Sequence, residues 1–139
     1  MVMSQELVPI SFQKVMQTRS YTVVILGTEE KRFAIYTDPS IGRAIQMHLT
    51  DTERPRPLTH DLMNMIFKGL SVDVKQIVIN DIQDTVYFAR LFLEQWIDEK
   101  RHIMEIDARP SDCITLALMN NVPVYCTREV LEKTVPVED

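Results

Sequence analysis

Side chains suited to binding a divalent cation are concentrated in the segment EIDARPSDC, residues 105–113. If its first residues form a strand, Glu105 and Asp107 lie on one face because side chains alternate, while Ile106 faces the core. Paired carboxylates suit a hard cation, and Asp112 in the following helix can add a ligand. Such a cation could activate water against a phosphodiester, and the nearby arginine could hold the phosphate.

A structural interpretation of the same segment remains open. Ser111 is a suitable N-cap for a helix that starts near Pro110, and Asp112 is well placed against the helix dipole. In this interpretation Glu105 and Asp107 simply face water. The spacing alone therefore allows either a cation site or a capped entry into a buried helix.

A second candidate segment is RPRPLTHDL, residues 54–62. Arg54 and Arg56 alternate with prolines, which stiffen the loop and suit it to binding a phosphate. His60 could act as a general acid or base, because a histidine exchanges protons near neutral pH. The alternative is structural, since Asp61 is an ordinary dipole partner in a first helical turn and a single histidine often has a structural role.

The elements that must position these segments follow from hydrophobic periodicity. Strands are predicted at 21–26, 32–37, 72–79, 86–93, 102–107 and 122–126, and helices at about 40–49, 59–70, 111–120 and 127–133. Hairpins outnumber strand–helix–strand units in this order. We therefore expect an α+β fold with an antiparallel-dominated mixed sheet and helices packed on it, as one domain over 1–139 with its core at about 20–133.

Three local expectations accompany this assignment. Thr59 is a plausible N-cap for the second helix, whose apolar stripe consists of Leu62, Met65, Ile66 and Leu70. The sequence NDIQD, residues 80–84, is predicted to be the turn of a hairpin. The third helix, with its apolar sequence CITLALM, is predicted to be buried nearly all round.

Composition restricts the class of protein. The chain has 139 residues, with 15 Lys and Arg against 20 Asp and Glu, giving a formal net charge of −5. That balance argues against a broad electropositive surface for nucleic acid. Cys113 and Cys126 match no metal-ligand spacing and are predicted to be reduced core thiols. The first residues do not resemble a signal peptide, and no apolar run approaches membrane-spanning length, so we expect a cytoplasmic protein without a membrane partner.

Two long motifs together resemble the bifunctional nuclease domain family. They are RPRPLTHDLM and EIDARPSDCITLAL, followed by VPVYC, and the resemblance covers roughly residues 20 to 133. It implies a single α+β domain, often a homodimer, that degrades DNA and RNA with a divalent metal such as Mg²⁺ or Mn²⁺. It also raises the expectation that the two segments form one site. The predicted roles are catalysis by His60, Asp61 and Asp107, phosphate binding by Arg54, Arg56 and Arg109, and metal binding by Glu105, Asp107 and Asp112.

One stretch departs from the family pattern. In YTDPSIGRAI, Thr37-Asp38 replaces an Ile-Gly pair and Ile41-Gly42 replaces a Glu-Ala pair. If the missing glutamate holds a metal, this protein is impaired or uses Asp38 instead. A non-catalytic module that binds an anion, a nucleotide or a protein partner is therefore the alternative, in keeping with the acidic charge.

Overall fold

The structure, a computed structural model that describes residues 6–138, contains a mixed seven-stranded sheet and four helices. The strands are β1 (Leu7–Gln17), β2 (Thr22–Gly27), β3 (Arg32–Thr37), β4 (Val72–Gln83), β5 (Val86–Ile97), β6 (Lys100–Ala108) and β7 (Val124–Thr127). The helices are α1 (Pro39–Leu49), α2 (Thr59–Gly69), α3 (Pro110–Asn120) and α4 (Arg128–Lys133). The sheet order is β3-β2-β1-β7-β4-β5-β6, and only the β4–β7 pair is parallel. The predicted α+β class is confirmed.

Helix α3 lies at the centre of the hydrophobic core, packed against β4 and β5 and flanked by α1 and α2. Five consecutive residues from Cys113 to Ala117 are at most 2% exposed, so the predicted burial of this helix is confirmed. Cys113 and Cys126 are both buried and free, as expected of core thiols. Burial raises the pKa of Cys113 to about 12 and that of Cys126 to about 11, which keeps both thiols protonated.

Strand β1 was not predicted from the sequence, although it joins the two halves of the sheet. It pairs antiparallel with β2 on one side and with β7 on the other. Only Val8 and Ile10 are buried along its length, and Pro9 interrupts the strand signal between them. Phe12 continues the alternation of Val8 and Ile10, and pairing with both neighbours fixes a strand whose own apolar signal is this short.

The hairpin between β4 and β5 is longer than predicted. Residues 80–83 continue β4, and the turn consists of Asp84 and Thr85, where Asp84 has a positive φ of 58°. Register shifts between Val74 and Gln76 and between Ile79 and Asp81 interrupt the pairing, which is typical of β-bulges. The predicted turn at 80–84 is wrong because these bulges let the strand continue through a polar stretch.

The sheet curves so that β3, at one edge, approaches β5 near the other. The ring of Phe33 in β3 stacks on Tyr87 in β5, with centroids 5.7 Å apart. Helix α1 sits close to β2 because Gly42 carries no side chain: a Cβ there would lie 2.4 Å from Oγ1 of Thr22. The same hydroxyl accepts a hydrogen bond from the Gly42 N–H at 3.1 Å. This close contact is a structural reason for glycine at position 42, one of the residues at which the sequence departs from the family pattern.

Helix α2 differs from expectation in two ways. Thr59 is its first residue, and the N-cap position is Leu58, whose N–H donates to Oδ2 of Asp61 at 2.8 Å. The apolar stripe does not face the core. Leu62, Met65, Ile66 and Leu70 are 50–59% exposed, and Met63 and Phe67 pack inward in their place.

Within residues 6–138, no helix has both the length and the apolar character needed to cross a membrane.

Candidate functional site

The two sequence segments meet where the first turns of α2 and α3 approach each other. Pro110 begins α3 at a position where the missing N–H has no helical partner to lose. His60, in the first turn of α2, places Nε2 2.9 Å from Oδ1 of Asp112 in the first turn of α3. His60 is only 6% exposed, so packing as well as the hydrogen bond holds its ring. We call this contact the His60–Asp112 pair.

Asp112 is also the partner of Arg109. The guanidinium donates from Nε to Oδ2 at 2.9 Å and from Nη2 to Oδ1 at 3.2 Å. Burial opposes ionisation of Asp112, but the hydrogen bonds from Arg109 and His60 outweigh it and hold the pKa of Asp112 below its ordinary value. The pair therefore contains a carboxylate that stays ionised at neutral pH.

Arg109 links α3 to the start of α1. Its Nη1 lies 3.5 Å from Oδ2 of Asp38, while its side chain stays 60% exposed. The hydrogen bond with Asp112 is the main cause that raises the pKa of Arg109. Asp38 itself caps α1 by accepting from the N–H groups of Ser40 and Ile41, and the hydroxyl of Ser40 chiefly lowers the pKa of Asp38.

Arg54 and Asp61 form a two-pronged ion pair beside the site. Nε of Arg54 donates to Oδ2 at 2.7 Å, and Nη2 donates to Oδ1 at 2.5 Å. The bond from Arg54 is the main cause that lowers the pKa of Asp61. These two predicted site residues are thus bound to each other, and together with the Leu58 N–H they fix the loop onto the start of α2.

An open cavity of about 430 Å³ lies against the His60–Asp112 pair. The residues around it come from α1, from the loop before α2 and from α3: Ser40, Ile41, Ala44, Pro57, Leu58, Thr59, His60, Arg109 and Asp112. Arg56, in the adjoining loop, is exposed and has no ion pair within residues 6–138. We call this space the His60 cavity.

Glu105 and Asp107 lie on β6, the edge strand, and share a face with Arg90 and Phe92 of β5. Register places Asp107 beside Arg90, and Nε of Arg90 lies 3.8 Å from Oε2 of Glu105. Both carboxylates are exposed. Ile106 was expected to face the core, but its side chain is only partly covered: it is 41% exposed because β6 is the last strand of the sheet.

The three carboxylates predicted to bind metal are therefore not gathered into one cluster. Glu105 faces Arg90, and Asp112 is held by Arg109 and His60. In the part of the chain described, no three His, Cys, Asp or Glu side chains are close enough to hold an ion. This donor arrangement does not fit a divalent cation, and the metal requirement stays a prediction.

Ser111 is not the N-cap that the sequence suggested. The cap position of α3 belongs to Arg109, and Ser111 is a buried residue of the first turn. A proline at the first helical position shifts the cap to the residue before it. The sequence segment RPS therefore places arginine, rather than serine, at the cap.

The sequence profile of the bifunctional nuclease domain matches residues 24–138 of this chain. The chain belongs to the bifunctional nuclease domain family. The match includes both segments that carry the His60–Asp112 pair, and it confirms the resemblance found in the motifs. It leaves all of β1 outside, although β1 is central to the sheet.

Individual relatives of this bifunctional nuclease domain are distant. An uncharacterized protein of Mycobacterium tuberculosis is 31% identical over 120 residues, covering 85% of this chain and 69% of its own. Bifunctional nuclease 1 of Oryza sativa is 25% identical over 76 residues, covering 55% of this chain and 23% of its own. The bifunctional nuclease of Oryza minuta matches to the same extent.

Two features of this bifunctional nuclease domain were missed by the motif analysis. One is the link from Arg109 to Asp38, which brings α1 into the site. Its signal was the repeated order of a charged residue, proline and serine at the starts of α1 and α3. The other is Tyr36, which together with Tyr87 lines a cavity on the far side of Arg109. Aromatic residues on strands usually indicate packing, so the sequence carried no clear signal for this cavity.

Proposed function

We propose that this protein hydrolyses phosphodiester bonds of nucleic acid at the His60 cavity. The observation that carries the proposal is the 2.9 Å contact of His60 with Asp112 beside an open cavity that also exposes Arg109. A histidine oriented by a carboxylate and placed near a cation is suited to proton transfer during attack on a phosphate. Membership in the bifunctional nuclease domain family supports this choice of substrate.

His60 acts as the proton-transfer group in this proposal. Its Nε2 is committed to Asp112, so Nδ1 is the ring nitrogen that serves the substrate. Nδ1 would take a proton from the attacking water or return one to the leaving oxygen.

The arginines have separate roles. Arg109 exposes part of a guanidinium that Asp112 already orients, and Arg56 is an exposed cation on a loop stiffened by two prolines. These two would hold the phosphate and stabilise charge as it develops. Arg54 and Asp61 position the loop. Among the described residues, Asp107 and Glu105 do not form with Asp112 a cluster that could hold a cation.

The test is cleavage of supercoiled plasmid and single-stranded RNA by purified protein, with Mg²⁺, Mn²⁺, Zn²⁺ or EDTA. His60→Ala should lower the rate by roughly 10²- to 10⁴-fold, the usual contribution of a general acid or base. His102→Ala is the matched control because His102 is an exposed histidine on the edge strand. Equal cleavage by both variants would overturn the proposal, and cleavage lost in EDTA would support the predicted metal.

A binding module on the same site is the second candidate, and one observation favours it. The acidic side chains at the site are already paired, Asp112 with Arg109 and Asp61 with Arg54. Such a site can hold an anion without turnover. Thermal stabilisation by a nucleotide without metal, combined with no cleavage under any condition, would support this alternative.

We also propose that the exposed apolar stripe of α2 forms a homodimer interface. Four large apolar residues share this face, Gly69 leaves open space beside them, and an apolar patch of this kind is typical of an association surface. An uncharged stripe pairs most simply with its own copy about a twofold axis. Light scattering should show a dimer that Leu62→Lys converts to a monomer, whereas Leu49→Lys, at an equally exposed leucine of α1, should not. A monomeric wild type at about 100 μM would contradict this proposal.

A further inference from the structure

Three neighbouring surface cavities share wall residues, and we call them together the groove. The His60 cavity, of about 430 Å³, shares Arg109 with a neighbouring cavity of about 420 Å³. That second space, the tyrosine cavity, shares Tyr36 and Tyr87 with a third of about 300 Å³. The groove therefore leads from the His60–Asp112 pair, past one guanidinium, to two aromatic rings.

The two rings are held in place before any ligand arrives. Tyr36 is 67% exposed, and its ring meets Tyr21 at a centroid distance of 5.5 Å and an interplanar angle of 61°. Tyr87 is half-buried and stacks on Phe33, and burial raises the pKa of Tyr87, so its hydroxyl stays neutral. Rings fixed by their neighbours lose little entropy when another flat group packs against them.

Hydroxyl groups accompany the rings along the walls of the tyrosine cavity. Thr37, Thr85 and Ser111 all contribute to its lining. None of the three makes a side-chain hydrogen bond within residues 6–138. A cavity that combines open aromatic surface with unused hydroxyl groups suits a planar ligand with hydrogen-bonding edges, which is the chemistry of a nucleobase.

Building on the proposed hydrolysis of nucleic acid, we propose that the tyrosine cavity binds one unpaired nucleobase next to the phosphate held at His60. The substrate is then single-stranded, because the faces of a base inside a duplex are covered by its neighbours and its edge is paired. Tyr36 would stack on the base, while Arg109 lies between base and phosphate.

The charge along the groove favours contact with a short stretch of nucleic acid rather than with a long run of phosphates. Of the described residues that line the three cavities, Arg109 alone is a permanent cation, and the lining also contains the acidic residues Asp38, Asp84 and Asp112. Such a groove can neutralise few phosphates, so stacking must supply much of the affinity. We therefore expect weak salt dependence and a preference for unpaired ends or short strands.

The experiment measures binding and cleavage separately on one fluorescent single-stranded 8-mer and on its duplex. Anisotropy with the His60→Ala protein reports binding without turnover, and wild-type protein reports cleavage. Tyr36→Ala should weaken single-strand binding about tenfold and raise KM to match, as expected from loss of one stacked base. Tyr36→Phe, which keeps the ring, should stay within about twofold of the parent.

Trp96→Ala is the matched control, because Trp96 is an exposed aromatic residue on β5 outside the groove. Binding unchanged by Tyr36→Ala, or equal binding of duplex and single strand, would overturn the base site. Failure of the proposed hydrolysis looks different: no condition gives cleavage, yet the single strand still binds and Tyr36→Ala still weakens it. Absence of any binding would overturn the base site whatever the cleavage assay gives.

Discussion

Helices α1 and α3 both begin with proline followed by serine, but the residue before the proline differs. Before α1 stands Asp38, whose carboxylate accepts hydrogen bonds from the N–H groups of Ser40 at 3.1 Å and Ile41 at 3.3 Å. Before α3 stands Arg109, whose side chain cannot accept a hydrogen bond and instead donates to Asp112 in the first turn. The acidic residue at the start of α1 therefore caps its own helix, whereas the acidic residue in the first turn of α3 binds side chains, including His60 of α2.

This difference separates a structural helix start from a candidate functional one. The carboxylate of Asp38 satisfies its own helix, and its contact with Arg109 is the longer one, at 3.5 Å. The carboxylate of Asp112 satisfies no backbone group of α3 and instead joins His60 to Arg109. Asp112 does not cap its own helix and instead orients two other side chains. Its presence is therefore better explained by a role in the site than by a contribution to helix stability.

The largest expected effect compares isosteric changes at the two helix starts. Asp112→Asn keeps the shape but removes the charge that orients His60, so we expect kcat for cleavage to fall by roughly 10²- to 10⁴-fold. Asp38→Asn should leave kcat within a few-fold, because asparagine caps a helix as well as aspartate does. The measurement is steady-state cleavage across pH, with KM reported separately for each variant.

Circular dichroism on the same samples shows whether each variant is folded. A shifted pH profile in Asp112→Asn would support a positioning role for the carboxylate. If Asp38→Asn lost as much activity as Asp112→Asn, the distinction between the two helix starts would be wrong.

The second prediction concerns stability, for which a change at the start of α1 should have the larger effect. Asp38→Ala removes two backbone hydrogen bonds at the start of α1 and should lower the free energy of unfolding by about 1 kcal/mol. Ser111→Ala removes a hydroxyl that caps nothing, so we expect a change within about 0.5 kcal/mol. Urea titration of both variants gives the two values, and a larger loss in Ser111→Ala would show that this hydroxyl has a partner in the folded protein.

Sequence reasoning predicted the fold class and the two segments well, because long apolar runs and proline-marked helix starts are local signals. The burial of α3 followed from its apolar sequence, and the resemblance pointed to both His60 and Asp112. Strand β1 could not be predicted, since only Val8 and Ile10 are buried in it and its place in the sheet depends on two distant strands.

The arrangement of charges was the other part that local signals could not supply. Glu105 and Asp107 share a face of a strand, as alternation requires, but the strand lies at the edge of the sheet, where Arg90 of β5 lies beside them. The pairing of Arg90 with Glu105 depends on the register of β5 with β6 and became visible only in three dimensions. Arg109 and Asp112 are three residues apart, so their pairing is local, but their contacts with Asp38 and His60 depend on the fold.

The smallest expected effect concerns acid and salt. Hydrogen bonding to Ser40 chiefly lowers the pKa of Asp38, whereas the pKa of Asp112 is lowered, against burial, by Arg109 and His60. A carboxyl whose pKa is depressed by folding contributes stability above its ordinary pKa, and that contribution is lost as pH falls through the folded-state pKa. Wild type should therefore lose stability below about pH 4, and each Asp→Asn variant should lose less.

Salt should affect the two carboxylates differently. In 1 M NaCl the acid-dependent stability contributed by Asp112 should decrease more than that contributed by Asp38, because the main partner of Asp112 is a charged arginine that salt can screen, while the Ser40 hydroxyl is neutral. Thermal unfolding of wild type and both variants at pH 3 to 6, with and without salt, measures this, and equal salt sensitivity at the two positions would contradict the contrast between the two helix starts.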